Sequence, residues 1–424
     1  MNVTVIGLGY AGLPLTVKLC LLGHNVTGVD KDKKKIDKFQ NNVLPFAQDE
    51  PYLMELFKKA ILSKRISFSL KFDSVSTSDL VFINVDTPLK GNKPDNSSLF
   101  SATQNCSKFL KKGTIVVIES TVAPKTCDNL LIPILEKDSN LKINKDFFLA
   151  HVPERIRPNH IFKQLTKLNR VIGVSSIKIK PILTKIYSGI TTGDLDFTSL
   201  AAAEVAKTVE NTYRDVNIAF ANEVAMACEE LGVDIWQIRK LINKIPVYNL
   251  HEPGAGVGGH CIPKDPWLLA SSVIKQSLKI TRTARAINDS MPKHVLELAE
   301  KSLAIIGRKI KNTNLVILGY SYIGNSDDSR NSPTKDLVKR LKMKKAIFKI
   351  HDPYVSPYDQ TNLERVITGA DCLILMVAHD YYKKLKLKDI ASKMNIKIIV
   401  DGRNFFDKKQ AQKNGFIYKG VGNV

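Results

Sequence analysis

The chain concentrates groups fit for covalent chemistry in one stretch. Residues 253–267 read PGAGVGGHCIPKDPW, four glycines ahead of a single cysteine, Cys261, with Lys264 and Asp265 just beyond. Pro263 and the apolar run behind it predict a helix beginning just after Cys261, and a thiol at a helix N-terminus beside a lysine favours thiolate. Glycines leave backbone room for a ligand and few packing atoms. Cys261 therefore reads as a nucleophile, whereas the other five cysteines read as small buried hydrophobes. Asp265, four residues on, is close enough to work on the same centre. A second constellation lies in AEVAKTVENTYRDVNIAFANE, where Lys207, Asn211 and Arg214 fall at i, i+4 and i+7 on one helix face. Such a trio also fits a plain solvated face.

A third signal opens the chain. VTVIGLGYAG carries Gly7, Gly9 and Gly12 in GxGxxG spacing between a strand and a helix. The first glycine permits a tight turn, the second lets the backbone approach a pyrophosphate, and the third allows close helix–strand packing. Asp30 closes the next strand, 18 residues past Gly12, where an acid accepts from a ribose 2′-OH and repels a 2′-phosphate. NAD is favoured over NADP, although Lys31, Lys33 and Lys34 offer cations to a 2′-phosphate.

These residues need elements to hold them. β-rich runs at 3–7, 25–30, 80–85 and 114–120 alternate with helical stretches, which predicts a parallel sheet. From Thr198 to Gly232 the chain reads as one long helix, and a second helical stretch follows Pro292. After about 312 the alternation resumes in NLVILGY, AIFKIHDPY, CLILMVAHD and IKIIVDGRN, so a second α/β domain is expected, with an architectural relation to the first.

With 424 residues, 44% hydrophobic and 25% charged, the chain is neither disordered nor fibrous as a whole. Its formal charge of +22 favours anionic partners. The basic runs KDKKK at 31–35 and KRLKMKK at 339–345 lack interleaved aromatics and read as solvated helix faces rather than a nucleic-acid patch. The cysteines show no zinc spacing, and neither a signal peptide nor a membrane span is apparent, so a cytoplasmic protein without metal, membrane or nucleic-acid partner is expected.

Taken in order, GLGYAGLP, ESTV at 119–122, PER at 153–155, AKTVENTYRDVNIAFANE at 206–223, GVGGHCIPKDPW and DDSRNSP at 327–333 resemble the UDP-glucose/UDP-mannosaminuronate dehydrogenase family along essentially the whole chain. The resemblance implies an α/β fold of two Rossmann-like, doubly wound parallel-sheet domains joined by a long central helix. The NAD-binding domain would span 1–195, a helical dimerisation region with the cysteine loop 196–300, and a UDP-sugar-binding domain 301–424, with catalysis in the cleft between. A homodimer or higher homo-oligomer is implied.

The implied reaction oxidises the C6 hydroxymethyl of a UDP-sugar to a carboxylate with two NAD and water. Cys261 would hold the aldehyde as a thiohemiacetal and then a thioester. By the same resemblance Lys207 is proton donor/acceptor and oxyanion partner, Asn211 helps hold the oxyanion, Asp265 and Thr121 position water, and Glu154 serves thioester hydrolysis. Gly7, Gly9, Tyr10, Ala11, Gly12, Asp30, Lys35, Thr87, Thr121 and Arg330 match cofactor-binding positions. Arg155, Ile156, Lys207, Asn211, Arg214, Gly258, Tyr322 and Arg403 match substrate-binding ones. Arg155 after Glu154 is similar to the N-acetylmannosamine and N-acetylglucosamine branch, with UDP-N-acetylmannosamine preferred; UDP-glucose is the alternative. The chain departs from that branch at Ile245-Pro246-Val247, where His-Pro-Arg is usual, at Tyr322-Ile323, where Phe-Lys is usual, and at Asp86, where Pro is usual. A nucleic-acid-binding protein and a redox-inactive UDP-sugar sensor are the competing classes.

Overall fold

A computed structural model describes residues 1–44, 51–155, 161–273 and 275–423. Ile156 lies outside the described residues. The chain forms two compact units, Met1–Glu210 with Trp267–Lys275 and Asn211–Pro266 with Gln276–Val424. The helical region expected at 196–300 contributes to both.

The first unit is built on eight strands: β1 Asn2–Ile6, β2 Asn25–Val29, β3 Ile66–Ser69, β4 Leu80–Ile83, β5 Ile115–Ile118, β6 Phe148–His151, β7 Arg170–Val174 and β8 Leu195–Ser199. Their order is β8-β7-β6-β5-β4-β1-β2-β3. The run from β3 to β6 is the doubly wound arrangement whose crevice opens at the carboxyl ends of the strands. Central strands β4 (LVFI) and β5 (IVVI) are buried throughout, because a parallel sheet covered on both faces needs apolar residues at every position. The expected parallel sheet has one exception: β6 and β7 pair antiparallel, with Ala150 opposite Val174. Helix α1, Gly12–Leu21, follows β1 directly.

Helix α2, Leu200–Leu231, is the long helix read from the sequence. Helix α3, Cys261–Ser271, begins on the cysteine itself. Helix α4, Lys279–Ala304, corrects the sequence reading, which started a helix after Pro292. Proline often opens helices, but here it sits in the interior, where it deprives the Asn288 carbonyl four residues back of its usual donor. Gly256 fits this notch: a Cβ there would lie 3.2 Å from the Asn288 carbonyl oxygen and 3.3 Å from Pro292 Cδ. Within the second unit α2 and α4 are bound by a buried polar network. Arg285 Nη1 meets Asp215 Oδ1 at 2.5 Å, and Asn288 Nδ2 donates to the Asp215 carbonyl at 2.9 Å while Asn222 Nδ2 donates to Asn288 Oδ1 at 2.8 Å.

The second unit's sheet has strands β9 Asn314–Leu318, β10 Ile347–His351, β11 Cys372–Leu375, β12 Ile398–Asp401 and β13 Ile417–Gly420, ordered β10-β9-β11-β12-β13. Every pairing is parallel. Helix α5, Pro333–Met343, packs beside α4. The two sheets share a device. Gly7 ends β1 at φ +93° and Gly319 ends β9 at φ +92°; in each case the acid after the neighbouring strand, Asp30 or Asp352, accepts N–H groups of the turn. Among the described residues no helix is long and apolar enough to cross a membrane.

Asp352 is fully buried and accepts the N–H groups of Tyr320, Ser321, Tyr354 and Val355, with His379 Nε2 at 3.1 Å. Burial works to raise its pKa, but these donors outweigh burial and hold the carboxyl down at about 2. A depressed carboxyl stabilises the fold above its unfolded value, roughly 3.9, and that contribution fades as pH falls towards the folded value. Asp352→Ala is expected to destabilise the protein by about 2 kcal/mol or more in chemical denaturation at pH 7. It should also flatten the acid-side fall in stability below about pH 4; an acid limb identical to that of the parent chain would refute this assignment.

Candidate active site

The glycine turn has the geometry its spacing predicted. A Cβ on Gly7 would stand 2.2 Å from the Asn84 carbonyl oxygen, and one on Gly12 would stand 1.9 Å from the Gly7 carbonyl oxygen, so neither position admits a side chain. Around Gly9 no atom lies within 4 Å of such a Cβ. That open backbone, beside the N-terminus of α1 where Ala11 offers no side-chain acceptor, fits a dinucleotide pyrophosphate. Tyr10 is exposed at the tip of the turn. Asp30, only 9% exposed, accepts from Leu8 N at 2.9 Å and Asp32 N at 3.0 Å and pairs with Lys35 Nζ at 3.2 Å. One carboxylate thus fixes the turn, holds the N–H of Asp32, the residue that caps the next helix, and collects Lys35, a second residue matched to the cofactor. Across the strand ends Thr87 Oγ1 donates to the Thr121 carbonyl at 2.6 Å.

Glu154 follows β6 and forms an ion pair with buried Arg170, whose Nη1 lies 3.0 Å and 3.1 Å from the two carboxylate oxygens. Arg155 points its guanidinium to Glu210 at 3.0 Å and to the Asn169 carbonyl at 3.2 Å. Lys207 sits on α2, 5% exposed, and its charge helps burial hold the neighbouring His151 neutral, down at about 4. One turn before Lys207, the Glu204 carboxylate takes the N–H groups of Lys125 at 2.5 Å and Cys127 at 2.7 Å. The loop that carries Thr121 is thereby tied to the helix that carries Lys207.

In the second unit Asn211 Nδ2 donates to Asp265 Oδ2 at 2.5 Å, and Asp265 is buried one helical turn beyond Cys261, whose side chain is exposed. Pro263 occupies the first turn of α3, where an N–H has no helical acceptor in any case. The glycine loop ahead of Cys261 is gripped on every side. Gly254 N donates to Asn222 Oδ1 at 2.8 Å, Arg403 Nη2 to the Gly256 carbonyl at 3.1 Å, Gly259 N to the Arg330 carbonyl at 2.9 Å, and Asn331 Nδ2 to the Gly259 carbonyl at 3.0 Å. Tyr322 lies against Gly258 and Gly259, where a Cβ on either would fall within 2.7 Å of its side chain. Burial pushes the Tyr322 phenol up to about 12, Asp328 and Cys261 add to that, and Arg330 and Arg214 oppose it. Arg330 itself is held by Asp328 at 2.6 Å.

The structure therefore gathers Asn211, Arg214, Gly258, Cys261, Asp265, Tyr322, Arg330 and Arg403 about the glycine loop in the second unit. Gly7 to Gly12, Asp30, Lys35, Thr87, Thr121, Glu154, Arg155 and Lys207 stand in the first. Sequence reasoning missed Glu204, Arg170 and Asn222. Glu204 carries a signal, an acid one turn before Lys207, but Arg170 opens a strand that its own residues do not announce. Among the described residues no group of His, Cys, Asp and Glu is set to hold a metal ion.

Residues 1–191 match the NAD binding domain of the UDP-glucose/GDP-mannose dehydrogenase family, 201–290 its central domain and 316–408 its UDP binding domain. The chain is 35% identical to the UDP-N-acetyl-D-mannosamine dehydrogenase of Pyrococcus horikoshii, covering 100% of this chain and 99% of that one. It is 38% identical to the enzyme of the same name from Methanocaldococcus jannaschii, over 98% and 95% of the two chains. The solved Pyrococcus horikoshii structure superposes with a TM-score of 0.94 at the same 35% identity and coverage of 100% and 99%. An NDP-N-acetyl-D-galactosaminuronic acid dehydrogenase from Methanosarcina mazei gives 0.88 at 32% identity, covering 99% and 95%.

The contacts of Asp30 lead to a cofactor prediction. NAD should exceed NADP in kcat/KM by roughly 100-fold, since a 2′-phosphate would meet a buried carboxylate. Asp30→Ala should weaken NAD about 10-fold or more, because the ribose acceptor and the anchor of Leu8 N–H go together. Equal kcat/KM values for the two cofactors in the parent chain would remove Asp30 from this role.

Proposed function

The chain belongs to the UDP-glucose/GDP-mannose dehydrogenase family as an NAD-dependent UDP-sugar dehydrogenase, and from that premise we propose that it oxidises the C6 hydroxymethyl of a UDP-N-acetylhexosamine to the uronate. The observation that carries this reading is the Asn211–Asp265 hydrogen bond one turn from exposed Cys261, at the end of a glycine loop. A nucleophile and a buried acid on one helix start, met by an amide donor from α2, suit an aldehyde that must be captured and then hydrolysed as an acyl group.

In this mechanism the Gly7–Gly12 turn, Asp30 and Lys35 would hold NAD, and two NAD in succession would supply the hydride acceptor for the two oxidations. Lys207, acting as the neutral amine, takes the proton of the C6 hydroxyl, and the ammonium so formed holds the oxygen as negative charge develops there. The Cys261 thiolate then adds to the aldehyde carbon, and Asn211 donates to the resulting oxyanion. Loss of the second hydride turns the thiohemiacetal into a thioester. Water positioned by Asp265 and Thr121, with Glu154 serving the proton transfer, cleaves the thioester to the carboxylate and returns the thiolate.

UDP-N-acetylmannosamine is the preferred substrate in this reading, supported by Arg155 beside Glu154 and by the likeness to the UDP-N-acetyl-D-mannosamine dehydrogenases of Pyrococcus horikoshii and Methanocaldococcus jannaschii. Val247 and Ile323 are exposed apolar residues at positions where the acetamido-sugar branch carries polar ones, so the margin over UDP-N-acetylglucosamine is modest. The protein acts as a homodimer: Val205, Val209, Tyr213 and Phe220 form an exposed apolar stripe along one face of α2, and a second copy of the chain covers it.

Four outcomes test the reading. The parent chain should form two NADH per UDP-sugar with no aldehyde trapped by a carbonyl reagent. Cys261→Ser should keep NAD and UDP-sugar binding yet lose turnover, and Lys207→Ala should slow oxidation by roughly 100-fold, or ~3 kcal/mol on the barrier. One NADH per sugar, or normal acid production by Cys261→Ser, would overturn the covalent route. Across a donor panel kcat/KM should rank N-acetylmannosamine, then N-acetylglucosamine, then glucose; UDP-glucose in first place would overturn the substrate assignment while leaving the chemistry intact.

A further inference from the structure

Glu119, the acid of the ESTV segment, has no part in the mechanism above, yet it is 2% exposed and lies at the heart of the first unit's site. It follows β5 directly. Tyr187 OH donates to its Oε1 at 3.0 Å and Asn84 Nδ2 to its Oε2 at 3.1 Å. Its backbone carbonyl accepts from Glu154 N at 3.3 Å, so two acidic residues stand side by side at the ends of β5 and β6. One guanidinium serves them. Arg170 places Nη1 on both oxygens of Glu154 and Nη2 on the Leu165 carbonyl, which leaves Glu119 with neutral donors only.

A buried carboxylate and a half-buried one facing one cation would leave one negative charge without a direct partner, an arrangement that favours protonation of the more buried and less well paired group. Glu119 is that group. Burial and the charge of Glu154 push its carboxyl up to about 8, against the opposing pull of Arg170, Tyr187 and Asn84. Those residues, from β7, from the helix Lys180–Ile190 and from the end of β4, are the charged and hydrogen-bonding groups that face it. Asn84 also reaches the glycine turn, since its carbonyl oxygen fills the space where a Gly7 Cβ would stand.

We propose that Glu119 is a positioning residue that remains a neutral acid so that Arg170 stays committed to Glu154 while Glu154 serves thioester hydrolysis. The proposal rests on the hydrolytic role given to Glu154 above. When Glu119 loses its proton, a second anion competes for Arg170, the Glu154 carboxylate shifts, and the thioester on Cys261 is cleaved more slowly.

The test follows kcat and the fraction of Cys261 carrying an acyl group, read by mass spectrometry during turnover of UDP-N-acetylmannosamine, from pH 6.5 to 9.5. In the parent chain kcat should fall at least 5-fold between about pH 7 and 9 as acyl-enzyme accumulates. Glu119→Gln, neutral at every pH, should stay within 3-fold of the parent at pH 7 and lose that alkaline fall. Tyr187→Phe, which removes a donor that lowers the Glu119 pKa, should move the fall to higher pH. Alkaline limbs that coincide in all three proteins, or a folded, NAD-binding Glu119→Gln more than 10-fold slower at pH 7, would overturn the proposal. Glu154→Gln separates the two readings. If it stalls as acyl-enzyme while the Glu119→Gln limb is unchanged, only the role of Glu119 is lost; if it turns over normally, both fall.

Discussion

A carboxylate withdrawn from water has to be met by donors, and in this chain the donors are largely N–H groups of the loops that carry the functional residues. Asp30 takes Leu8 N in the glycine turn, and Glu204 takes Lys125 N and Cys127 N in the loop after Thr121. Asp352 takes four N–H groups on either side of the second sheet's first crossover. Asp401, at the end of β12, takes those of Arg403, Phe405 and Phe406. Each acid sits on a strand end or a long helix, so it lends the rigidity of a core element to a segment with no regular structure of its own. Catalytic groups held in this way need little reorganisation when charge develops on a substrate.

The same turn geometry has been put to different use in the two sheets. Asp30 keeps a partly exposed edge next to open backbone at Gly9, whereas Asp352 is fully buried and engaged by five donors. Gly12 opens α1 immediately after the first turn; after Gly319 the chain runs through Tyr322 and the DDSRNSP segment before Ser332 caps α5. The first turn can thus receive an anion on helix N–H groups, while the second is filled by its own loop and supports the cysteine-bearing glycines through Tyr322, Arg330 and Asn331. Shared architecture here constrains where loops emerge and leaves open what they bind.

What could be read in advance follows from how local each determinant is. The glycines were legible because the turn itself demands them: Gly7 takes φ +93°, and the Gly7 carbonyl leaves no room for a side chain at Gly12, five residues on. Strands β4, β5, β9, β11 and β12 were legible as short apolar runs. Strands β3 (ISFS) and β8 (LDFTS) were not, since an edge strand can carry polar residues and still pair. Pro292 misled because its tolerance inside α4 depends on Gly256, 36 residues earlier in the chain. Arg170 and Glu204 escaped for a related reason, as their partners are brought to them only by the fold. The cysteine loop and the Lys207, Asn211, Arg214 face stand out in the sequence by residue type and spacing, yet the bond between Asn211 and Asp265, 54 residues apart, is made only by the fold.

The chain sorts its sulfur in one direction. Cys20, Cys106, Cys127, Cys228 and Cys372 are buried, and burial raises all five thiols, whereas Cys261 alone is exposed. Thiolate character and access also govern reaction with peroxide, so an exposed thiol is open to an oxidant as much as to any other electrophile. The first product, a sulfenic acid, has no second thiol among the described residues with which to close a disulfide, because the remaining five are enclosed in the core. Among the cysteines, oxidation would then be confined to one sulfur atom, reversed or made permanent according to whether an external reductant reached Cys261 before a second equivalent of peroxide did.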